Sequence, residues 1–113
     1  MSTDQKYGNV LTQAQLSLFC AECTPEQAAK LVGKLIPEPL APLRTRVHLS
    51  SERFGKVDKV YIATDMDRVI SPTAQETMLA VTPTRKVVHL KTSHTPFLSK
   101  PDELVQVLLS IEK

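Results

Sequence analysis

VDKVYIATDMDRVISP, residues 57–72, contains a short apolar run, a loop with two aspartates and the start of a helix. The run at 60–63 is rich in β-branched and aromatic residues, which is typical of a strand buried on both faces of a parallel sheet. Ser71 and Pro72 then supply an N-cap and a first-turn proline, which predict a helix as far as about Val81.

The same alternation repeats towards the carboxyl terminus. Residues 86–90, KVVHL, predict a second strand, and Pro101 begins a predicted helix with one wide apolar face. Strand, helix, strand and helix at this spacing indicate a right-handed crossover between parallel strands. The sequence therefore predicts an α/β fold with two parallel core strands and carboxy-terminal helices.

The first 55 residues have a different pattern, in which helical spacing and prolines dominate. Apolar residues recur at helical spacing, a capping box follows, and three prolines interrupt the next stretch. The expected elements are a helix over 10–22, a second helix from Thr24-Pro25-Glu26-Gln27 to about Leu35, an extended connector at 37–42, and a short strand containing Val47 and Leu49.

Two loops follow the carboxyl ends of the predicted strands, and such loops collect the reactive residues of open parallel sheets. Asp67 lies in the first loop, 65–70, and His94 lies in the second, 92–98. Neighbouring strands are about 4.8 Å apart, so the aspartate can reach the histidine ring. Such a pair fixes the tautomer of the ring and leaves its far nitrogen as a general base.

Simpler interpretations of these residues remain open. Asp67 also suits an ordinary turn, and His94 suits a loop histidine that bonds its own backbone. Asp65 competes as the acid, although it lies two residues earlier. His48 and His89 lie within predicted strands, and we expect them to be structural or exposed.

Both cysteines lie in one C-x-x-C stretch, Cys20–Cys23. A structural zinc site needs four ligands, and neither a second cysteine pair nor a close histidine pair completes one. Thioredoxin-like chemistry favours such a motif at the start of a helix, whereas here it closes a predicted helix. We therefore expect two small apolar thiols in a reducing compartment, with no metal and no cofactor.

Composition excludes several other classes of protein. A length of 113 residues suits one small domain, and no apolar run approaches the roughly 20 residues that span a bilayer. The amino terminus resembles no targeting peptide, so a cytoplasmic protein without membrane contact is expected. The net charge of +2 comes from scattered basic residues, which argues against a nucleic-acid partner.

The two loops resemble those of one known family. Residues 60–72 resemble the acid-bearing strand and loop of the plant methylesterase and hydroxynitrile lyase family and its bacterial relatives, within the α/β-hydrolase superfamily. Residues 93–104, SHTPFLSKPDEL, are similar to the histidine loop and last helix of that family. The resemblance implies that Asp67 is the triad acid and that His94 is the triad histidine.

The resemblance extends upstream to about Phe19. CTPE at 23–26 and PEPL at 37–40 resemble the family's cap, and ERFG at 52–55 resembles the segment that returns to the core. It implies two parts, a cap-like helical segment at 1–55 and the carboxy-terminal part of an α/β-hydrolase core at 56–113. Phe19, Leu40 and Phe97 either line a pocket or belong to the core.

The family keeps its serine nucleophile in a G-x-S-x-G elbow. The glycines of this chain, Gly8, Gly33 and Gly55, lie too far apart to form one. We therefore expect the carboxy-terminal portion of a carboxylic ester hydrolase that is inactive alone, as a fragment, a truncated gene product or one half of a split enzyme. A small-molecule ester would be its substrate if an amino-terminal half complemented it.

Two alternatives to the esterase interpretation stay open. One is a non-catalytic truncated homologue or interaction module, which uses an exposed sheet edge and could form a homodimer. The other is the hydroxynitrile lyase branch, whose members place a lysine directly after the histidine. Thr95 stands there in this chain, and Lys91 and Lys100 lie outside the loop tip, which favours the esterase branch.

Overall fold

Two parallel strands form the sheet of residues 6–111, the part of the chain that this computed structural model describes. Strand β1 is Val60–Thr64 and strand β2 is Lys86–Leu90, with Val60 opposite Lys86 and Thr64 opposite Leu90. The α-helices of the same range are α1 (Gln13–Phe19), α2 (Pro25–Val32), α3 (Ala41–Arg44), α4 (Pro72–Val81), α5 (Pro96–Ser99) and α6 (Pro101–Ser110). A short 3-10 helix, Phe54–Lys56, precedes β1.

The strand and helix order predicted for the carboxy-terminal half is confirmed. Helix α4 connects the two parallel strands, and its first turn is capped by Ser71, whose Oγ accepts the Ala74 N–H at 3.1 Å. Helix α6 begins at Pro101 as expected. These elements are encoded locally, because caps, prolines and apolar spacing mark each boundary.

Both predicted amino-terminal helices are present but shorter than expected. Helix α1 begins only after Thr12, where a capping box joins Thr12 and Gln15 through two backbone-to-side-chain bonds of 2.9 and 3.2 Å. Helix α2 has the predicted capping box at Thr24 and ends at Val32, before Gly33. A good cap sets the helix boundary more firmly than the continuation of apolar spacing does.

Two expectations for residues 37–49 are wrong. Part of the connector is helical, since α3 begins at Ala41. Pro42 is tolerated there because it lies in the first turn, where a missing N–H costs no helical bond. No strand forms at Val47 or Leu49 within the described residues, and both side chains are mostly exposed. Tyr7 and Pro39 form an isolated antiparallel bridge instead, next to the buried Leu40.

The expectation of two free thiols is also wrong, because Cys20 and Cys23 form a disulfide. The motif links the end of α1 to the start of α2, so it does more than close a helix. The turn brings the two Cα atoms to 5.3 Å, which is within the range that a disulfide requires.

Much apolar surface of this part of the chain is open. A cavity of about 480 Å³ lies beside β1 and α4, and its walls are mainly apolar; they include Phe54, Val60, Tyr61, Met78 and Val81. Val81 is 79% exposed and Met78 is 47% exposed. Within residues 6–111 no helix has the length and apolarity needed to cross a membrane. The division of the chain at residue 55 stays a prediction.

Candidate active site

Asp67 and His94 lie at the carboxyl ends of neighbouring parallel strands and contact each other. Asp67 follows β1 and His94 follows β2, and the distance from His94 Nδ1 to Asp67 Oδ2 is 2.9 Å. The aspartate side chain is almost fully buried, with 3% exposed, whereas the histidine side chain is 32% exposed. The structure thus contains the contact that the spacing of the two loops predicted.

The Asp67 carboxylate accepts three further hydrogen bonds. The Thr64 hydroxyl donates to Oδ2 at 2.8 Å, and the Val69 and Ile70 amides donate to Oδ1 at 2.8 and 2.9 Å. Burial raises the pKa of this carboxyl, but the hydrogen bonds, with that from His94 the largest, outweigh burial and lower the pKa below its usual value. The carboxylate is therefore ionised at neutral pH.

Ionised Asp67 fixes the tautomer of His94. A carboxylate only accepts hydrogen bonds, so Nδ1 of the ring must carry the proton and donate it to Asp67. The other ring nitrogen, Nε2, then keeps its lone pair and can accept a proton. Asp67 therefore orients the ring, and His94 is able to act as a general base through Nε2.

Gln75 of α4 was not predicted as part of the site, although it holds the end of β1. Its side chain is almost fully buried, and its Oε1 accepts the Thr64 N–H at 3.0 Å and the Tyr61 hydroxyl at 3.2 Å. Its Nε2 donates to the carbonyls of Thr64 and Ile70 at 3.0 and 2.9 Å. The side-chain amide thus bonds both backbone groups of Thr64, as a neighbouring strand would. Through Ile70 it also shapes the loop that carries Asp67. Its only sequence signal is helical spacing to Leu79.

The loop that carries His94 packs against the turn after α1. Thr95 donates its hydroxyl to the Phe19 carbonyl at 2.7 Å, and Ser93 Oγ accepts the Ala21 N–H at 3.1 Å. The Phe19 ring lies edge-on to the His94 ring, with 5.3 Å between centroids. Residues 19–21 therefore help to fix the orientation of the imidazole.

A cavity of about 340 Å³ opens beside the Asp67 and His94 pair; its other lining residues include Val60, Tyr61, Ile62, Ile70, Pro96 and Phe97. Of the three residues considered for a pocket, Phe97 lines this cavity and is 60% exposed. Leu40 is buried in the core instead, and Phe19 contacts the catalytic candidate His94.

The other histidines lie apart from this site. His89 Nδ1 lies 2.8 Å from Asp65 Oδ1, in a pair whose side chains are 65% and 38% exposed. Asp65, the competing acid, thus contacts His89 and not His94. His48 is exposed in the segment after α3. No group of three or more potential metal ligands occurs among residues 6–111.

Solved structures show the same arrangement of elements. The chain superposes on the crystal structure of polyneuridine aldehyde esterase with a TM-score of 0.79 and 27% identity, over 91% of this chain and 42% of that one. On tomato methylketone synthase I complexed with 2-tridecanone the TM-score is 0.73 with 28% identity, over 89% of this chain and 41% of that one. The chain belongs to the α/β-hydrolase superfamily. It contains part of that fold, as the sequence predicted.

Within the superfamily, the relatives by sequence are plant methylesterases. The Arabidopsis thaliana protein named "Putative methylesterase 14, chloroplastic" is 41% identical over 76 residues, which are 66% of this chain and 22% of that protein. Methylesterase 17 of Arabidopsis thaliana is 34% identical over 92 residues, which are 76% of this chain and 33% of that protein. No protein-family model matches the chain.

The chain spans about a fifth to a third of the length of these curated relatives. Their esterase names therefore describe longer proteins than the 113 residues of this α/β-hydrolase chain. Five putative methylesterases of Arabidopsis thaliana that the chain resembles are named chloroplastic, and the cytoplasmic location expected from the sequence stays a prediction.

Proposed function

We propose that this chain supplies the acid and the base of an α/β-hydrolase that cleaves small carboxylic esters. The observation that carries the proposal is the buried Asp67 carboxylate 2.9 Å from His94 Nδ1, in a pair that lines a cavity; the hydrogen bonds to the carboxylate lower its pKa. An esterase needs such a pair to take a proton from a hydroxyl nucleophile.

In the proposed reaction a serine hydroxyl attacks the ester carbonyl while His94 Nε2 removes its proton. Asp67 stabilises the imidazolium that results. His94 then donates that proton to the departing alcohol, and an acyl-serine remains. Water attacks the acyl-serine in the same way, so that the carboxylic acid leaves and the serine regains its proton.

The proposal takes the serine from a polypeptide segment that contains G-x-S-x-G. The described serines near the site have structural partners: Ser71 caps α4, and Ser93 Oγ contacts the Ala21 amide and the Phe19 carbonyl. The Ser99 Oγ atom is buried at the end of α5. No bond from a serine to the His94 ring occurs among the described residues, which supports a nucleophile from outside them.

The open side of β1 is the proposed docking surface for that segment. Apart from Thr64, whose backbone groups bond to Gln75, its strand edge carries backbone groups that point away from β2, and the 480 Å³ cavity beside it is apolar. A strand and helix from the remainder of an α/β-hydrolase would cover both. A homodimer through the same edge is the competing outcome.

Thr95 favours an esterase over a hydroxynitrile lyase. Its hydroxyl donates to the Phe19 carbonyl at 2.7 Å, so it supports the loop and brings no positive charge to the reacting centre. An ammonium group at this position is what would stabilise a departing cyanide. Ester cleavage needs no such cation.

The test is a fusion protein in which the amino-terminal part of a plant methylesterase, including its G-x-S-x-G elbow, precedes this chain. We expect the fusion to hydrolyse p-nitrophenyl acetate with saturation kinetics and to bind a fluorophosphonate covalently. His94→Ala should remove both activities. The matched control is His89→Ala, which removes a histidine of the exposed pair.

The lone chain should not exceed the His94→Ala chain in the same assay, because the proposal places the serine and the oxyanion donors in the other segment. A folded fusion that is inactive, or one whose rate does not depend on His94, would overturn the proposed function. Saturable turnover by the lone chain would show that one of its own residues is the nucleophile. Sedimentation of the lone chain decides between a monomer that awaits its other part and a homodimer.

A further inference from the structure

Glu22 contacts the loop that carries His94. It lies in the turn between α1 and α2, and its Oε1 accepts the Ser93 N–H at 3.0 Å. Ser93 directly precedes His94 in the sequence and has no exposed surface. The backbone of the histidine loop is therefore tied to a carboxylate that is 71 residues away in the sequence.

The surroundings of Glu22 favour its ionised form. Burial raises the pKa of this carboxyl, but hydrogen bonding from Ser93 and the nearby Ser99 hydroxyl outweigh burial and lower the pKa below its usual value. Neither Glu22 Oε2 nor Ser99 Oγ reaches a well-directed hydrogen-bond partner within residues 6–111, although the hydroxyl lies near enough to stabilise the charge. The Glu22 carboxylate is thus held by polar contacts with the histidine loop and does not lie free on the surface.

The turn that presents Glu22 is closed at both ends. The disulfide joins Cys20 to Cys23, and the Cys23 N–H donates to the Cys20 carbonyl at 3.1 Å. The Ala21 N–H donates to Ser93 Oγ at 3.1 Å, so Ser93 is bound through both its backbone and its side chain. These bonds leave Glu22 little freedom to withdraw.

We propose that Glu22 is a positioning residue, which holds the Ser93 amide so that the His94 ring meets Asp67 with Nδ1. The Asp67 carboxylate orients the ring, and the Glu22 carboxylate fixes the backbone from which the ring extends. Removal of Glu22 leaves a fully buried N–H without an acceptor, so the loop must rearrange to reach water or another partner. The catalytic meaning of this role rests on the proposed function, since that assigns His94 as the base.

The tautomer of His94 tests this role without any ester. We would record ¹⁵N spectra of the histidine rings in the full chain at pH 8, with His48 and His89 assigned by replacement. A free imidazole side chain favours a proton on Nε2, whereas the bond to Asp67 holds it on Nδ1. Glu22→Ala should shift the His94 ring towards the Nε2-protonated form and speed exchange of the Ser93 amide by about tenfold or more.

Glu22→Gln keeps an acceptor oxygen on a side chain of the same length. The His94 tautomer and the exchange rate of the Ser93 amide should therefore stay near the wild-type values. Glu26→Ala is the matched control, because Glu26 is an exposed glutamate four residues later. An unchanged tautomer in folded Glu22→Ala would overturn the proposal, as would a Gln variant that behaves like Ala. If the Ala variant does not fold, the shorter Glu22→Asp decides, with a partial shift expected and an unchanged ring overturning the role.

This result is independent of ester hydrolysis. An inactive fusion protein with a Glu22-dependent tautomer would refute the esterase proposal and leave the positioning role intact. An active fusion with a Glu22-independent tautomer would refute only the positioning role.

Discussion

The molecule contains two aspartate–histidine pairs at the same end of its sheet, with nearly equal contact distances. Asp65 meets His89 at 2.8 Å, and Asp67 meets His94 at 2.9 Å. The first pair is exposed to solvent, whereas only 3% of the Asp67 side chain in the second pair is exposed. The distance between two groups therefore does not distinguish a surface pair from a candidate catalytic pair.

The difference lies in what surrounds the carboxylate. Asp67 accepts a hydroxyl, two amides and the imidazole, and these donors hold its pKa low despite burial. Exposed pairs such as Asp65 and His89 contribute about 0–1 kcal/mol, because water competes for both partners. The additional donors therefore hold the Asp67 carboxylate, and with it the His94 ring, in one position.

The largest expected effect that would separate the two pairs is on catalysis. In the fusion protein, Asp67→Asn should lower kcat by about 10⁴, because an amide in place of the carboxylate favours the wrong tautomer of His94. Asp65→Asn should change kcat by less than about twofold. Steady-state kinetics with p-nitrophenyl acetate measure both. Equal losses would mean that the two pairs do not differ in function.

The second effect concerns the support of the Asp67 loop. Gln75→Leu should lower the free energy of unfolding of the lone chain by about 2–4 kcal/mol, since it leaves the Thr64 amide and two carbonyls without their partner. Urea unfolding followed by circular dichroism measures the loss. Glu76→Leu, at an exposed neighbour on α4, should change stability by at most about 0.5 kcal/mol. Comparable losses would contradict the special role of Gln75.

The third effect concerns the turn that supports only the buried pair. Cys20→Ser should lower the free energy of unfolding by about 2 kcal/mol, because it frees a short loop in the unfolded chain. A reductant should lower the stability of the wild-type chain to the same extent and leave the variant unchanged. Thiol labelling of the folded wild-type chain without reductant is the control. Two reactive thiols in that assay would show that the disulfide is not formed.

The smallest expected effect is a change in pH dependence. The pKa of Asp67 is lowered in the folded chain, so its contribution to stability is present above the unfolded pKa of about 4 and is lost as the pH falls through the folded pKa. Asp67→Asn should therefore flatten the fall of stability below about pH 4. Asp65→Asn should leave that slope nearly unchanged. Thermal melting between pH 2 and pH 6 provides the measurement, and identical slopes in both variants would contradict the difference between the pairs.

The sequence by itself determined the carboxy-terminal α/β unit. Strands β1 and β2 and helices α4 and α6 have boundaries marked by caps, prolines and apolar runs, which are local signals. The crossover rule then brings the loops of Asp67 and His94 to one edge of the sheet. A local pattern combined with a general rule nominated His94 and left Asp65 and Asp67 as competing acids, and the resemblance to a known family favoured Asp67.

Tertiary structure alone decided how each aspartate is used and what holds it. Asp65 and Asp67 are two residues apart, and only the path of the loop after β1 directs one to His89 and the other to His94. Gln75 and Glu22 bind backbone groups far from them in the sequence, and no periodic pattern encodes such partners. The physical reason is that a buried polar side chain is specified by the donors and acceptors that folding brings to it.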